Sequence, residues 1–227
     1  MIIGVDLGGT RIRAARFDQD LKILARVKTL TAAHEGLEPT LKRVMAQVEG
    51  VWPEGANEVV GIGISAPGPV NPTTGVIVAP PNLPGWHNVP LRQLIQDRFG
   101  RPTYLNNDGN CAVLAEARRG VARGYAHVVY ITVSTGIGGG IISHGQLIVG
   151  AHGLGSEVGH LILASEAGLG GSMEKQGAGP AIAREAVLRL DAGARSKIRD
   201  AVEGDLSRVT AWVMGEAAAA GDPLRTR

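Results

Sequence analysis

Four short clusters in this 227-residue chain combine residue types and spacings suited to chemistry. The first is Asp6-Leu7-Gly8-Gly9-Thr10. A carboxylate at a strand end, two glycines and a hydroxyl can hold a water-coordinated Mg²⁺ and aim backbone N–H groups at phosphate oxygens. It is neither a Walker loop nor a dinucleotide fingerprint, because the lysine and the spacing are missing. A tight hairpin turn with an incidental Asp is the plainer reading. The second cluster, Ser134-Thr135-Gly136-Ile137-Gly138-Gly139-Gly140, follows an apolar run that reads as a buried strand and again offers unhindered donors and two hydroxyls. Two such turns suit a polyphosphate better than either alone.

Asn106-Asn107-Asp108-Gly109-Asn110 is the third cluster. A carboxylate at a strand-to-helix junction can accept a hydroxyl proton as a phosphoryl group arrives; local sequence favours the plainer reading, that Asp108 just N-caps the helix. In the fourth, Glu157 and His160 stand three apart, with Glu174 further on. Glu-x-x-His on a helix can be half of a metal site. Here the flanking glycines argue against a helix and no second copy exists. Groups that hydrogen-bond a polyhydroxylated ligand fit better, beside the alternative of a solvated Glu and a core His.

The elements that must position these residues follow from apolar periodicity. Alternation predicts strands at Ile2–Asp6, Arg11–Phe17 and Lys22–Thr29, and helical spacing covers Leu37–Val51. Val59–Ser65 reads as a strand, and 71–88 as a Pro/Gly/Asn-rich surface loop with a short strand near Val76–Val78. Leu91–Phe99 follows as a helix, Pro102–Leu105 as a strand and Gly109–Arg119 as a helix. His127–Val133, a glycine turn, Gly140–Ser143 and Gln146–Val149 repeat the opening strand–turn–strand pattern, consistent with two related lobes, 1–107 and 108–227, facing one another, or with two ordinary hairpins. Ala181–Leu190, Ala194–Val202 and Asp205–Ala220 read as helices. Gly221-Asp222-Pro223 then has the form of a C-cap and a new helix start, so a shortened second lobe is expected.

Composition narrows the class. Hydrophobic residues at 44% and charged ones at 19% supply a core and argue against disorder. A net charge of +2 without a basic block gives a nucleic-acid partner little support. The apolar runs are too short for a bilayer, and Met1–Asp6 enters a strand directly, so no membrane association, no signal peptide and a cytoplasmic location are expected. A single cysteine, Cys111, excludes a disulfide framework within one chain.

Six motifs occur in order: Asp6-x-Gly8-Gly9-Thr10-x-x-Arg13, Ser65-Ala66-Pro67-Gly68-Pro69, Asn82-Leu83-Pro84-Gly85-Trp86, Asn107-Asp108-x-Asn110, Ser134 to Gly140, and Glu157-x-Gly159-His160. In this the chain resembles the ROK family, which contains bacterial glucokinases, related sugar kinases and transcriptional repressors. The resemblance implies an α/β, actin-like ATPase (ribonuclease-H-like) fold of two lobes, the second incomplete here, with ATP and sugar in the cleft. It implies that Asp108 is the general base toward a hexose 6-hydroxyl. Gly68, Asn82, Asn107, Glu157, His160 and Glu174 would bind the sugar, and Asp6, Gly8, Gly9, Thr10, Thr135 and Gly136 the nucleotide phosphates and Mg²⁺. A homodimer is common in the family. Many members also carry three cysteines that join the His in a structural zinc site. Here Ser172 stands where the last would be and no zinc is expected, since structural zinc wants four N/S ligands. The rival expectation is a non-catalytic homologue that binds sugar or a partner chain without turning over ATP. A repressor would need a helix-turn-helix ahead of Asp6, where only five residues stand.

Overall fold

The structure, a computed structural model, describes residues 1–55, 58–165 and 168–224. The chain divides into two compact units, 1–129 with 140–156 and 130–139 with 157–227. The boundary expected at 107/108 falls inside the first of these.

The first unit is built on a five-stranded sheet in the order β3-β2-β1-β4-β7. Its strands are β1 (Ile2–Leu7), β2 (Arg11–Phe17), β3 (Ile23–Leu30), β4 (Gly61–Ala66) and β7 (Thr103–Asn107). β1, β2 and β3 form an antiparallel meander, while β1, β4 and β7 run parallel. Alternation sets the faces. Ile3, Val5 and Leu7 of β1, Ile12 and Ala14 of β2 and Ile62 and Ile64 of β4 enter one core. That core is closed by Val44 and Val48 of α1 (Leu37–Gly50) and Leu91 and Ile95 of α2 (Leu91–Phe99). A two-stranded ladder, β5 (Val70–Asn71) with β6 (Val76–Ile77), precedes α2.

The opposite sheet face presents Gly4, Asp6, Arg13, Gly63, Ser65, Tyr104 and Asn106. With Cys111, Leu114 and Ala115 of α3 (Asp108–Arg119) it lines a concavity of about 1290 Å³. Next come β8 (Val128–Val133), β9 (Ile137–Ser143) and β10 (Gln146–Leu147), hydrogen-bonded in the order β10-β9-β8. β8 is not the buried strand expected. It is the edge of this sheet, and Val129, Ile131 and Val133 on its outer face are each about half exposed or more. The glycine run also divides: the turn is 134–136, and Gly138–Gly140 lie within β9. Gly140 serves close packing, since a Cβ there would overlap the Gly109 carbonyl and come within 2.6 Å of Val113 Cγ1, both on α3.

The second unit holds β11 (Ile162–Ser165), β12 (Gly168–Ser172), α4 (Met173–Gly177), α5 (Gly179–Asp191), α6 (Ile198–Ala201) and α7 (Ala211–Ala219). Ala186, Leu190, Ile198, Val202, Val209 and Met214 form its core. Two helices are shorter than periodicity predicts because polar side chains reset their starts. Ser196 Oγ accepts from Ile198 N at 3.0 Å, and Thr210 Oγ1 accepts from Val213 N at 3.3 Å as the N-cap of α7.

Asp222 ties this unit together. It is 3% exposed and accepts from Lys197 N at 2.6 Å and Leu224 N at 2.8 Å. Burial raises its pKa, but the hydrogen bonds from Leu224, Lys197 and Ser196 and the Lys197 charge outweigh that and hold it below the usual carboxylate range. Because the folded value is depressed, the stabilisation is complete above the unfolded pKa and is lost as pH falls through the folded one. Asp222→Asn is expected to destabilise this unit by about 2–3 kcal/mol at pH 7. Urea unfolding should show the two proteins converging below about pH 4; a pH-independent difference would contradict the assignment.

Candidate functional site

The first unit gathers its polar groups at the carboxyl ends of the parallel strands, where open α/β sheets bind ligands. Registers align Arg13 with Asp6, Asp6 with Ser65, and Ser65 with Asn106, so four polar residues cross β2, β1, β4 and β7 in one row. Arg13 Nη1 donates to Asp6 Oδ2 at 2.6 Å, with both side chains about half exposed. Beyond β1, Gly8 N donates to Arg11 O at 2.9 Å, Thr31 Oγ1 to Gly8 O at 2.6 Å and Thr31 N to Thr10 O at 2.9 Å. The turn is therefore held by its own carbonyls. Among the described residues the amides of Gly9 and Thr10 and the Thr10 hydroxyl find no protein acceptor. Gly9 abuts the 79–88 loop, where a Cβ would come within 2.8 Å of Asn82 Cβ. Asn82 itself is exposed, anchored by its buried neighbours Leu83 and Trp86. Gly68 follows the end of β4.

At the β7–α3 junction the cap is Asn107, not Asp108. Asn107 Oδ1 accepts from Asn110 N at 2.7 Å, and among the described residues its Nδ2 has no protein partner. Asn106 Oδ1 accepts from Asn110 Nδ2 at 2.9 Å, and Asn110 Oδ1 from Ser156 Oγ at 3.1 Å. This amide network fixes the first turn of α3. Asp108 is exposed, and among the described residues its one protein hydrogen bond is that which Oδ1 accepts from Gly109 N at 2.8 Å.

Cys111 lies behind this row. Burial pushes its thiol up to about 11; the Ser65 hydrogen bond opposes that, and the Asp108 and Asp6 charges add to it. The thiolate is the nucleophile, and at pH 8 about one thiol in a thousand is ionised. Native protein should therefore react with a disulfide reagent far more slowly than denatured protein. Fast stoichiometric labelling would contradict this packing.

The second unit carries Thr135, Gly136, Glu157, His160 and Glu174. Thr135 and Gly136 form the tight turn between β8 and β9, in which Ser134 N donates to Gly136 O at 2.8 Å. Val158–His160 is a 3₁₀ turn rather than an α-helix, with His160 Nε2 4.0 Å from Glu157 Oε2 and its side chain 76% exposed. His160 is thus not a core histidine. Ser172, where the resemblance led us to look for a cysteine, is the N-cap of α4, accepting from Lys175 N at 3.3 Å. Glu174 points into the 134–136 turn, its Oε2 accepting from Ile137 N at 2.8 Å. Sequence reasoning missed this contact, as well as the Arg13–Asp6 pair and the Asn110–Ser156 link. Only the Arg13–Asp6 pair had a readable signal, in the register of two alternating strands.

A mixed sheet with free amides and carboxylates at its carboxyl edge defines an α/β protein of the actin-like ATPase fold. The chain belongs to the ROK family, whose model matches residues 2–221. It is 39% identical over 162 residues to a glucokinase of Thermotoga maritima, covering 71% of this chain and 50% of that protein. A xylose repressor of Caldicellulosiruptor bescii is 32% identical over 70% of this chain and 40% of its own. Among solved structures, a ROK family glucokinase from Streptomyces griseus in complex with glucose and AMPPNP superposes with TM-score 0.77 at 32% identity, over 98% of this chain and 72% of that one. The chain therefore spans about half the length of the Thermotoga relative it matches. No helix among the described residues is long and apolar enough to cross a membrane.

Proposed function

We propose that this chain is a sugar kinase that transfers a phosphoryl group from ATP to the 6-hydroxyl of a glucose-like hexose. The observation that carries the reading is Asp108, an exposed carboxylate relieved of capping by Asn107 and held on a fixed helix turn. In this role Asp108 accepts the proton of the attacking hydroxyl. The Nδ2 of Asn107, with Asn82 and Gly68, orients the sugar, and Glu157, His160 and Glu174 are the further acceptors and donor assigned to it. The unpartnered amides of Gly9 and Thr10, the Thr10 hydroxyl, and Thr135 with Gly136 bind phosphate oxygens, their donor chemistry matching an anion. Asp6 is the carboxylate placed to hold a hydrated Mg²⁺, with Arg13 as its resting partner. Bound Mg·ATP supplies the phosphoryl group and neutralises charge on it; the protein's share is positioning and electrostatics.

The glucokinase of Thermotoga and the glucose-bound Streptomyces structure support the sugar class. A second reading, a homologue that binds sugar or a partner chain without catalysis, is favoured by the exposed apolar stripe of β8. Isothermal titration with glucose and with Mg·AMPPNP separately tests the choice. The kinase binds both, whereas glucose binding with no nucleotide heat favours the second reading.

A further inference from the structure

Glu174 joins two regions that the sequence assigned to different ligands. Its carboxylate leaves the first turn of α4 and accepts from Ile137 N at 2.8 Å, at the mouth of the Ser134–Gly136 turn. Gly136 has no side chain to prevent this, as a Cβ there would overlap Glu174 Oε2. That imaginary Cβ lies 4.0 Å from Oε1, so the second oxygen is turned away from the turn. The backbone beyond α4 is fastened to the same turn, with Gly179 N donating to Ser134 O at 2.8 Å. A carboxylate on a backbone amide is a charge-assisted bond and resembles what a phosphate oxygen would make there. The turn thus already holds an anion of its own.

We infer that Glu174 is an internal competitor for the Ser134–Ile137 turn. While its carboxylate sits on the Ile137 amide, a phosphate group is excluded by occupation and by like charge. A polyhydroxylated sugar that hydrogen-bonds the Glu174 carboxylate draws it off the amide and opens the turn. Sugar binding then raises phosphate affinity, and by linkage phosphate raises sugar affinity by the same factor. This rests on the nucleotide and sugar reading given above, which assigned roles to Thr135, Gly136 and Glu174 but no exchange between them.

The test follows the Ile137 amide by NMR during titration with inorganic pyrophosphate, with and without glucose. In wild-type protein, glucose should tighten pyrophosphate binding by about tenfold, within the roughly 5–150-fold usual for coupled sites. Glu174→Ala should bind pyrophosphate that tightly without glucose and lose the glucose effect. Glu174→Gln, which keeps an acceptor for the amide but not the charge, should fall between and guards against misfolding of the alanine variant. If both variants bind pyrophosphate as wild type does, or more weakly, Glu174 is only a staple and the inference is overturned. If the variants bind more tightly while no ADP forms from ATP with any hexose, the competition stands and the kinase reading falls.

Discussion

Asp108→Asn should lower glucose-dependent ADP formation by about 10²–10⁴-fold, the usual contribution of a positioned general base, while glucose affinity stays within a few-fold. The split is expected because the amide retains the shape and one acceptor of the carboxylate but cannot take up the hydroxyl proton. The fold should be indifferent to the change. Asn107 supplies the helix cap, and the Gly109 amide can bond an amide oxygen as it does Asp108 Oδ1. Steady-state kinetics with calorimetry on the same preparation reads both quantities. Unchanged turnover removes Asp108 from the base role, and lost glucose binding with intact turnover per bound sugar makes it a binding group instead.

Trp86→Ala should cost about 3–5 kcal/mol of stability, as for other large aromatic truncations in a packed core. Trp86 is 1% exposed and sits with Leu83 in the first core, so together they pin the loop that carries Asn82 beside the Gly8–Thr10 turn. Its Nε1 meets no acceptor among the described residues, so Trp86→Phe should cost less than the alanine change. Urea unfolding followed by circular dichroism measures both. A loss below about 1 kcal/mol for Trp86→Ala would mean the loop is held by something else.

Much of the first unit was legible in the sequence because its signals are local. Ile3, Val5 and Leu7 alternate with Ile2, Gly4 and Asp6, which fixes both the strand and the face that bears the carboxylate. Leu91–Phe99 reads correctly for the same reason. What stayed hidden depends on contacts distant in sequence. Asn107 and Asp108 are both good caps, and only the helix start at Asp108 frees the acid. The three consecutive glycines looked like a ligand loop, yet Gly140 answers to Val113 and Gly109 on α3. In the second unit, Ser196 and Thr210 cut two periodic runs short, and Asp222 binds Lys197 from 25 residues away. The Glu174–Ile137 bond spans 37 residues and has no periodic signature at all.

The direct measurement is whether this protein, given Mg·ATP and ¹³C-labelled glucose, releases ADP and produces a sugar phosphorylated at its 6-position. The account predicts ADP release only when sugar is present, in equal amounts with the 6-phosphate seen by NMR. Glucose that binds but is never phosphorylated, with the same result for mannose and N-acetylated hexosamines, would contradict it.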